Sequence, residues 1–295
     1  MLVKLLIYIM ETAKFYNGNI ITSSQYATLM LLDIQVNILQ NYDVNTNWID
    51  SVEDDNIVIY GNFNHEVGII RMDDDNNIID NKIVMVSENL QIDPTITKIN
   101  DTYYITATEI IGNINNSDPE VENGKYIIHL YKTDDLENLE LVSNIQTDNC
   151  NLEDVDVIYE NNIIYVVYEK EDYDKGNSAI VLTKSTDLGN SWDTPIVLLE
   201  NNCDHEPTSF IHNKNEWILY YSCDKENLGE SYMGANVYYS CYDDNFNVIK
   251  KDVKVSTESK TGILLYDISE IDGHNYLLYT RNYYTDSDLV IEKYN

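Results

Sequence analysis

Carboxylic acids recur at one place in this chain, just before a strand that leads into a polar turn. Five repeats carry an acid there, namely Asp50, Asp93, Asp154, Glu206 and Asp267. With 51 acids among 295 residues, one such acid can arise by chance, but five in register point to a shared role. A protonated carboxyl can give a proton to a leaving group while an ionised one takes a proton from water, so paired carboxyls can do acid–base chemistry. We therefore predict acid–base chemistry at these residues, with simple capping of the strand starts as the alternative.

Further ligand contacts are predicted from the same segments. Asp156, Asp267 and Tyr266 stand beside or among these acids, and His205 directly precedes Glu206. We expect His205 to bind hydroxyl groups of a ligand or to tune the carboxyl next to it, and a packed or capping role is the alternative. Neighbouring negative charges favour the protonated form of a carboxyl, so a ring of acids can keep Glu206 protonated near neutral pH.

A repeat of strand, polar turn and apolar strand positions these acids. Six turns rich in Asn, Asp and Gly introduce strands of β-branched and aromatic residues. These strands are IITSS, IVIYGNF, YYITATE, IIYVVYE, EWILYYS and NYLLYTR. The turns follow one another at about 37 to 60 residues, the spacing of a four-stranded propeller blade, and no helical period is evident. The prediction is an all-β fold, a β-propeller of six four-stranded blades, in a single domain over residues 1–295.

The number of blades depends on the N-terminus. The last repeat lacks a fourth strand, and a strand from the other end of the chain commonly closes such a ring. Residues 2–9 are the candidate for that closing strand, but they could equally be the inner strand of the first blade. If they close the ring, the first blade is incomplete and five blades is the better count.

One turn carries a more specific pattern. Residues 185–192 read S-x-D-x-G-x-S-W, in which Asp187 accepts hydrogen bonds from the following backbone and Gly189 allows a positive φ. This segment resembles the Asp box of the sialidase-like (BNR-repeat) β-propellers. There the box lies on the rim, away from the central mouth. The resemblance therefore implies the fold, and a structural role for Asp187.

Two segments resemble the blade openings of propeller glycoside hydrolases of the family 43 arabinanase and xylosidase type. They are IDPTITKINDTYYITATE and DHEPTSFIHNKNEWILYYS, and KTDDLENLE resembles an outer turn of the same group. The resemblance implies Glu206, before Pro207, as the general acid and Asp154 as the orienting or tuning acid. The base would be Asp50 or Asp93. The family's Gly between Glu and Pro is missing here.

Sialidase activity itself is not expected. The sialidase family grips the substrate carboxylate with three arginines, whereas this chain has only Arg71 and Arg281. We therefore expect a glycoside hydrolase-like propeller that cleaves or recognises a neutral glycan. The alternative is a non-catalytic propeller that binds a carbohydrate or a protein. Opposed carboxyls about 5–9.5 Å apart across an open pocket would favour hydrolysis.

The chain is strongly acidic, with a formal net charge of −33. This charge repels nucleic acid and anionic membranes, so neither is an expected partner. No apolar stretch approaches the ~20 residues of a membrane span, and the N-terminus lacks a convincing signal-peptide cleavage site. We expect a soluble monomer, with the cytoplasm favoured. Its predicted partner is a glycan or another small molecule at the central mouth.

Metal and disulfide chemistry are not predicted. The four cysteines, Cys150, Cys203, Cys223 and Cys241, form no C-x-x-C pair, which favours free thiols over a disulfide scaffold or a structural zinc site. The acidic segments at residues 73–77 and 243–245 are typical of outer hairpin turns. Calcium is the alternative there because oxygen ligands are abundant, although neither segment matches an EF-hand loop.

Overall fold

The chain folds as an all-β, six-bladed propeller around a central channel. The computed structural model describes residues 10–24, 27–112, 125–146, 150–172, 177–213, 215–225, 234–255, 262–271, 273–282 and 288–294. Over these residues it contains one 3₁₀ turn, Glu53–Asp55, and no α-helix. Within the same residues, no helix has the length and hydropathy needed to cross a membrane.

The first three blades each have four antiparallel strands, which run in chain order from the channel outward. The first blade comprises β1 (Met10–Tyr16), β2 (Asn19–Ser24), β3 (Thr28–Leu32) and β4 (Ile38–Asn45). The second comprises β5 (Trp48–Val52), β6 (Ile57–Asn62), β7 (Glu66–Met72) and β8 (Ile78–Val86). The third comprises β9 (Leu90–Ile99), β10 (Thr102–Ile111), β11 (Lys125–Thr133) and β12 (Glu140–Gln146).

One long strand links the fourth and fifth blades. The fourth blade has β13 (Cys150–Glu160), β14 (Ile163–Asp172), β15 (Asn177–Ser185) and the first half of β16 (Ile196–Asn213). The fifth has the second half of β16, then β17 (Glu216–Asp224), β18 (Asn236–Tyr242) and β19 (Val248–Lys254). The described strands of the sixth are β20 (Ile263–Ile271), β21 (His274–Arg281) and β22 (Asp288–Tyr294). Strand β16 therefore runs from the rim of one blade to the channel side of the next.

The hydrophobic pattern of each strand matches its place in the blade. A second strand such as β6 is buried along its whole length, because neighbouring blades cover both of its faces. An outer strand such as β8 alternates between half-buried and exposed residues, because one face meets solvent. Burial therefore changes from continuous in the second strand to alternating in the outer strand.

Six hydrophobic clusters fill the six interfaces between neighbouring blades. The cluster between the sixth and first blades joins Phe15 and Ile20 to Tyr266 and Leu278. Packing is therefore as continuous across the closure of the ring as elsewhere. The inner strand of the first blade is Met10–Tyr16, which pairs with β2, so that blade is complete and the count is six. The predicted closing strand, residues 2–9, lies outside the described residues.

The outer hairpin turns of five blades use one device. In each, an aspartate carboxylate accepts hydrogen bonds from backbone N–H groups two to four residues later. The five aspartates are Asp33, Asp73, Asp135, Asp187 and Asp243. Side-chain hydrogen bonds within the same turns and these backbone bonds together stabilise the ionised carboxylates and lower the pKa of each of the five. The segment at residues 185–192 is the fourth blade's version of this turn, joining β15 to β16.

Packing at the ring closure leads to a test with a matched pair of leucines. Leu278 is fully buried between the sixth and first blades, whereas Leu141 on β12 is 51% exposed. We expect Leu278→Ala to lower the free energy of unfolding by about 2–5 kcal/mol, because it removes packed methyl groups and leaves a cavity. Leu141→Ala should cost less than about 1 kcal/mol. Equal effects in urea denaturation would show that the closing interface is not packed as described.

Candidate active site

The inner strands bring polar side chains from all six blades to a common cavity in the channel. The cavity has a volume of about 240 Å³. These side chains include, in blade order, Lys14, Asp50, Thr95, Asp156, Ser209 and Asp267, and Ser51, Thr97 and Thr208 also line the cavity. Acids therefore alternate with other polar residues around the ring.

Each of the three channel aspartates binds the backbone of the next blade. One carboxylate oxygen of each accepts a hydrogen bond from an N–H group on the following inner strand. The pairs are Asp50 with Ile96 (2.8 Å), Asp156 with Phe210 (2.7 Å) and Asp267 with Phe15 (2.8 Å). The last of these bonds joins the sixth blade to the first. Three of the six blade junctions are thus tied by the same charge-assisted bond.

Electrostatics in the cavity depend on Lys14, the one cation among the described residues that line it. Its Nζ lies 3.7 Å from Asp50 Oδ1. Burial lowers the pKa of Lys14, but the charges of the carboxylates outweigh burial and hold the pKa above its ordinary value. Burial raises the pKa of Asp156 to about 6 and also raises that of Asp267. The cavity therefore takes up protons as the pH falls through about 6.

Bulges in the inner strands set a second group of acids. In β13, Asp154 and Val155 together lie opposite the single residue Tyr168, and Asp154 has a φ of 50°. In β9, Asp93 and its neighbour Pro94 form the matching bulge, with a φ of 45° at Asp93. A positive φ is uncommon for a residue other than glycine, and such strain clusters at functional sites. The two aspartates therefore occupy equivalent positions in neighbouring blades.

Three carboxylates meet at the junction of the fourth and fifth blades. Oxygens of Asp154, Glu169 and Glu206 all lie within 4.8 Å of one another. Asp154 and Glu206 are half-buried on inner strands, whereas Glu169 is 3% exposed on β14. Like charges at this distance repel strongly, and a shared proton or a bound cation relieves the repulsion. The arrangement can therefore hold a proton on one carboxyl for transfer to a ligand.

The structure separates the acids that the sequence analysis groups together. Asp154 and Glu206 meet, and Asp50 and Asp267 line the channel cavity with Asp156. Asp93 has the bulge position in the third blade that Asp154 has in the fourth. Each aspartate of the cavity accepts a hydrogen bond from the backbone of the next blade, whereas the positions of Asp93 and Asp154 are determined by the bulges in their strands.

Two other predicted ligand contacts lie within the packed protein. The imidazole of His205 has Nδ1 2.7 Å from the carbonyl oxygen of Ser178 and Nε2 3.3 Å from Sγ of Cys203. Tyr266 is 6% exposed and belongs to the hydrophobic cluster between the sixth and first blades. Both ring nitrogens of His205 are therefore occupied by protein groups.

Sequence reasoning missed Glu169. It ends the predicted strand IIYVVYE, in which the sequence analysis identifies no candidate functional residue. The corresponding residue of the second strand is Thr108 in the third blade and Ser222 in the fifth, both buried and polar but uncharged. An acid at that point, after an apolar run, is a signal that could have identified it.

Arginine is not part of the described carboxylate cluster. Arg71 donates from Nη2 to the carbonyl oxygen of Asp135 at an outer turn, 2.9 Å away. Arg281 ends β21, where it pairs with Asp288 in the sheet.

Comparison with solved structures supports the fold. No family model and no curated protein matches the sequence. A β-1,2-mannobiose phosphorylase from Listeria innocua aligns with a TM-score of 0.56 and 16% identity, over 97% of this chain and 90% of that one. A Trypanosoma rangeli sialidase aligns with a TM-score of 0.59 and 9% identity, over 96% and 53%. The GH32 β-fructofuranosidase of Bombyx mori gives 0.55 and 14%, over 97% and 60%.

At these identities the likeness concerns the fold alone. The chain spans about half to two thirds of the sialidase and the fructofuranosidase, and most of the phosphorylase. The predicted resemblance to sialidase-like propellers and to propeller glycosidases is confirmed at that level.

The aspartate-to-backbone bonds lead to a paired substitution at Asp156. Asp156→Ala leaves the Phe210 N–H without its acceptor, so we expect the free energy of unfolding at pH 7 to fall by about 1–3 kcal/mol. Asp156→Asn keeps an acceptor oxygen and removes a charge that burial disfavours, so it should change stability by less than about 1 kcal/mol. The measurement is urea denaturation of both variants. If both lose stability equally, the charge and not the bond to Phe210 is what matters.

A second prediction concerns pH and Lys14. Lys14→Met removes the cation from three channel carboxylates, so we expect a loss of about 1–3 kcal/mol at pH 7.5, reduced from a fully buried case because water reaches the cavity. Burial raises the pKa values of Asp156 and Asp267, so the folded protein protonates these carboxylates at a pH at which the unfolded chain still has them ionised. Lys14 then has fewer negative partners to lose, so the loss should shrink as the pH falls through about 6.

The control is Lys98→Met, which breaks an exposed ion pair with Asp55 at 2.9 Å. Its effect should stay below about 1 kcal/mol and be flat from pH 5 to 8. A loss at Lys14→Met that does not change with pH would contradict the proposed coupling.

Proposed function

We propose that this chain hydrolyses a neutral glycan at the mouth of its channel, with Glu206 as the general acid. The observation that carries the proposal is the meeting of Glu206 with Asp154 and Glu169, within 4.8 Å, at a half-buried position. Repulsion from two neighbouring carboxylates favours a proton on Glu206, and a protonated carboxyl is what departure of an alkoxide requires. Asp154 and Glu169 act through Glu206 as positioning and tuning residues.

The second carboxylate of the reaction is assigned to Asp93. Glycosidases need about 5–5.5 Å between the two carboxyls for a covalent route, or about 6.5–9.5 Å to admit water. Asp154 and Glu169 lie closer to Glu206 than either range. Asp50 accepts a bond from Ile96 N and lies beside Lys14 in the channel cavity. Asp93 is left as the base, since it has the same bulged position as Asp154 one blade earlier.

The other predicted contacts take supporting places in this proposal. Asp156 and Asp267 are bonded to backbone of the next blade, so they hold the inner strands in position beneath the mouth. We assign no substrate contact to His205, because Ser178 and Cys203 occupy its ring. Tyr266 supports the closing interface from within its hydrophobic cluster.

A neutral substrate follows from charge. The formal net charge is −33 and three acids lie at the candidate site, so an anionic sugar would be repelled. A chain with two arginines cannot build the arginine triad that the sialidase family uses. The same repulsion opposes a phosphate dianion, so we propose water as the acceptor, even though one structural neighbour is a phosphorylase. The neighbours' glycan-directed activities support a glycan as the ligand.

The test is a panel of neutral oligosaccharides and aryl-glycosides assayed with wild type, Glu206→Gln and Glu140→Gln. The last variant is the control, because Glu140 lies on an outer strand and its side chain is 70% exposed. We expect Glu206→Gln to lower kcat/KM on oligosaccharides by about 10²–10⁴-fold. On substrates with a strongly acidic phenol as the leaving group the loss should be much smaller, because that group needs no proton.

Other outcomes assign the site differently. Unchanged activity in Glu206→Gln would remove Glu206 from the chemistry. Appearance of a sugar phosphate when phosphate is supplied would replace hydrolysis by phosphorolysis. A panel on which the protein binds oligosaccharides but releases no product would identify a non-catalytic carbohydrate-binding propeller.

A further inference from the structure

Two thiols and an imidazole converge where β16 passes from the fourth blade to the fifth. Cys203 and His205 lie on β16, and Cys223 lies opposite His205 on β17. The two sulfur atoms are 2.7 Å apart, and Nε2 of His205 is 3.3 Å from Sγ of Cys203. All three residues are at most 5% exposed. Donor atoms of the three therefore face one another inside the protein.

The hydrogen bond at the other side of the imidazole determines its tautomer. Nδ1 of His205 lies 2.7 Å from the carbonyl oxygen of Ser178, and a carbonyl oxygen can only accept. Nδ1 therefore carries the proton, and Nε2 presents a lone pair towards the sulfurs. The backbone N–H of His205 also donates to Ser178 Oγ, at 2.7 Å, which fixes the ring further. Histidines that bind metals are oriented in this way by a carbonyl or a carboxylate.

A metal ion bound here would replace the protons that the two thiols share with each other and with the imidazole. Either thiol can donate its S–H to the sulfur of the other, and the S–H of Cys203 can donate to Nε2 of His205. The sulfurs are closer than unbonded sulfurs normally approach, yet well beyond the ~2.05 Å of a disulfide. A tetrahedral ion with bonds of about 2.3 Å to each sulfur would hold the two sulfurs roughly 3.8 Å apart. Binding would therefore require the sulfurs to move apart by about 1 Å.

A cavity borders the cluster and gives it room. It has a volume of about 210 Å³ and is lined by Cys203 and His205 together with Asn202, Lys225 and Asp252. The ammonium of Lys225 is paired with Asp252 at 2.8 Å. The cavity provides a route for an ion and space for a water molecule as a fourth ligand. The expected coordination is therefore three protein ligands and one open position.

We propose that Cys203, His205 and Cys223 bind one divalent transition-metal ion of the zinc type. Two thiolates and one neutral imidazole form a ligand set that suits zinc, and binding releases the thiol protons. A disulfide would use only the sulfurs and would leave the lone pair of Nε2 facing a sulfur with no proton to give. The site uses none of the carboxylates of the proposed glycan chemistry, so the two proposals are tested independently.

The test measures metal binding by tag-free protein that is reduced, stripped with a chelator and dialysed against Zn²⁺ or Co²⁺. We expect elemental mass spectrometry to find one Zn²⁺ per chain. With Co²⁺, the absorption spectrum should show the bands of a tetrahedral thiolate complex. Cys203→Ser and Cys223→Ser should abolish binding, and His205→Ala should weaken it at least 100-fold. Cys241→Ser is the matched control, because this thiol is also buried, and it should bind as wild type does.

The wild type alone decides the outcome if a variant fails to fold. Reduced wild-type protein that holds no Zn²⁺ above the dialysis buffer would overturn the proposal. A disulfide between Cys203 and Cys223 that forms again in air while Zn²⁺ is present, detected as a linked pair of peptides, would also overturn it. Binding that persists in both serine variants would place the ion elsewhere.

Discussion

The bond from a channel aspartate to the backbone of the next blade is the interaction on which this arrangement depends. Asp50, Asp156 and Asp267 each make it, and the third joins the last blade to the first. A backbone N–H on an inner strand faces the channel and needs an acceptor. Supplying it from a carboxylate concentrates negative charge in a narrow space, which is why Lys14 lies among them.

The same bonds explain why the acids fall into two groups. Those in the cavity hold neighbouring inner strands at fixed positions, and their oxygens are bonded to protein. Asp93 and Asp154 lie in bulges and are not among the residues that line that cavity, and Asp154 meets Glu169 and Glu206. Structural charge and candidate chemical charge therefore lie two residues apart on one strand, as Asp156 and Asp154 do.

Sequence reasoning reached the fold because turn chemistry and strand periodicity agree in every blade. The resemblance to family 43 propellers also implied Asp154 as the tuning acid for Glu206, and the structure brings these two carboxylates together. It could not separate Asp50 from Asp154, because the bulge in β13 shifts the register and aligns Asp156 with Asp50. The contact between Cys203 and Cys223 could not be predicted from the sequence either, because it depends on β16 pairing with strands of two blades.

The most direct test of the account is a crystal structure of Glu206→Gln with a bound neutral oligosaccharide. The account predicts a glycosidic oxygen within hydrogen-bonding distance of the residue 206 side chain, with Asp93 on the opposite side of the sugar ring. A sugar bound at the rim of the propeller, or at the mouth with its glycosidic oxygens turned away from residue 206, would contradict it.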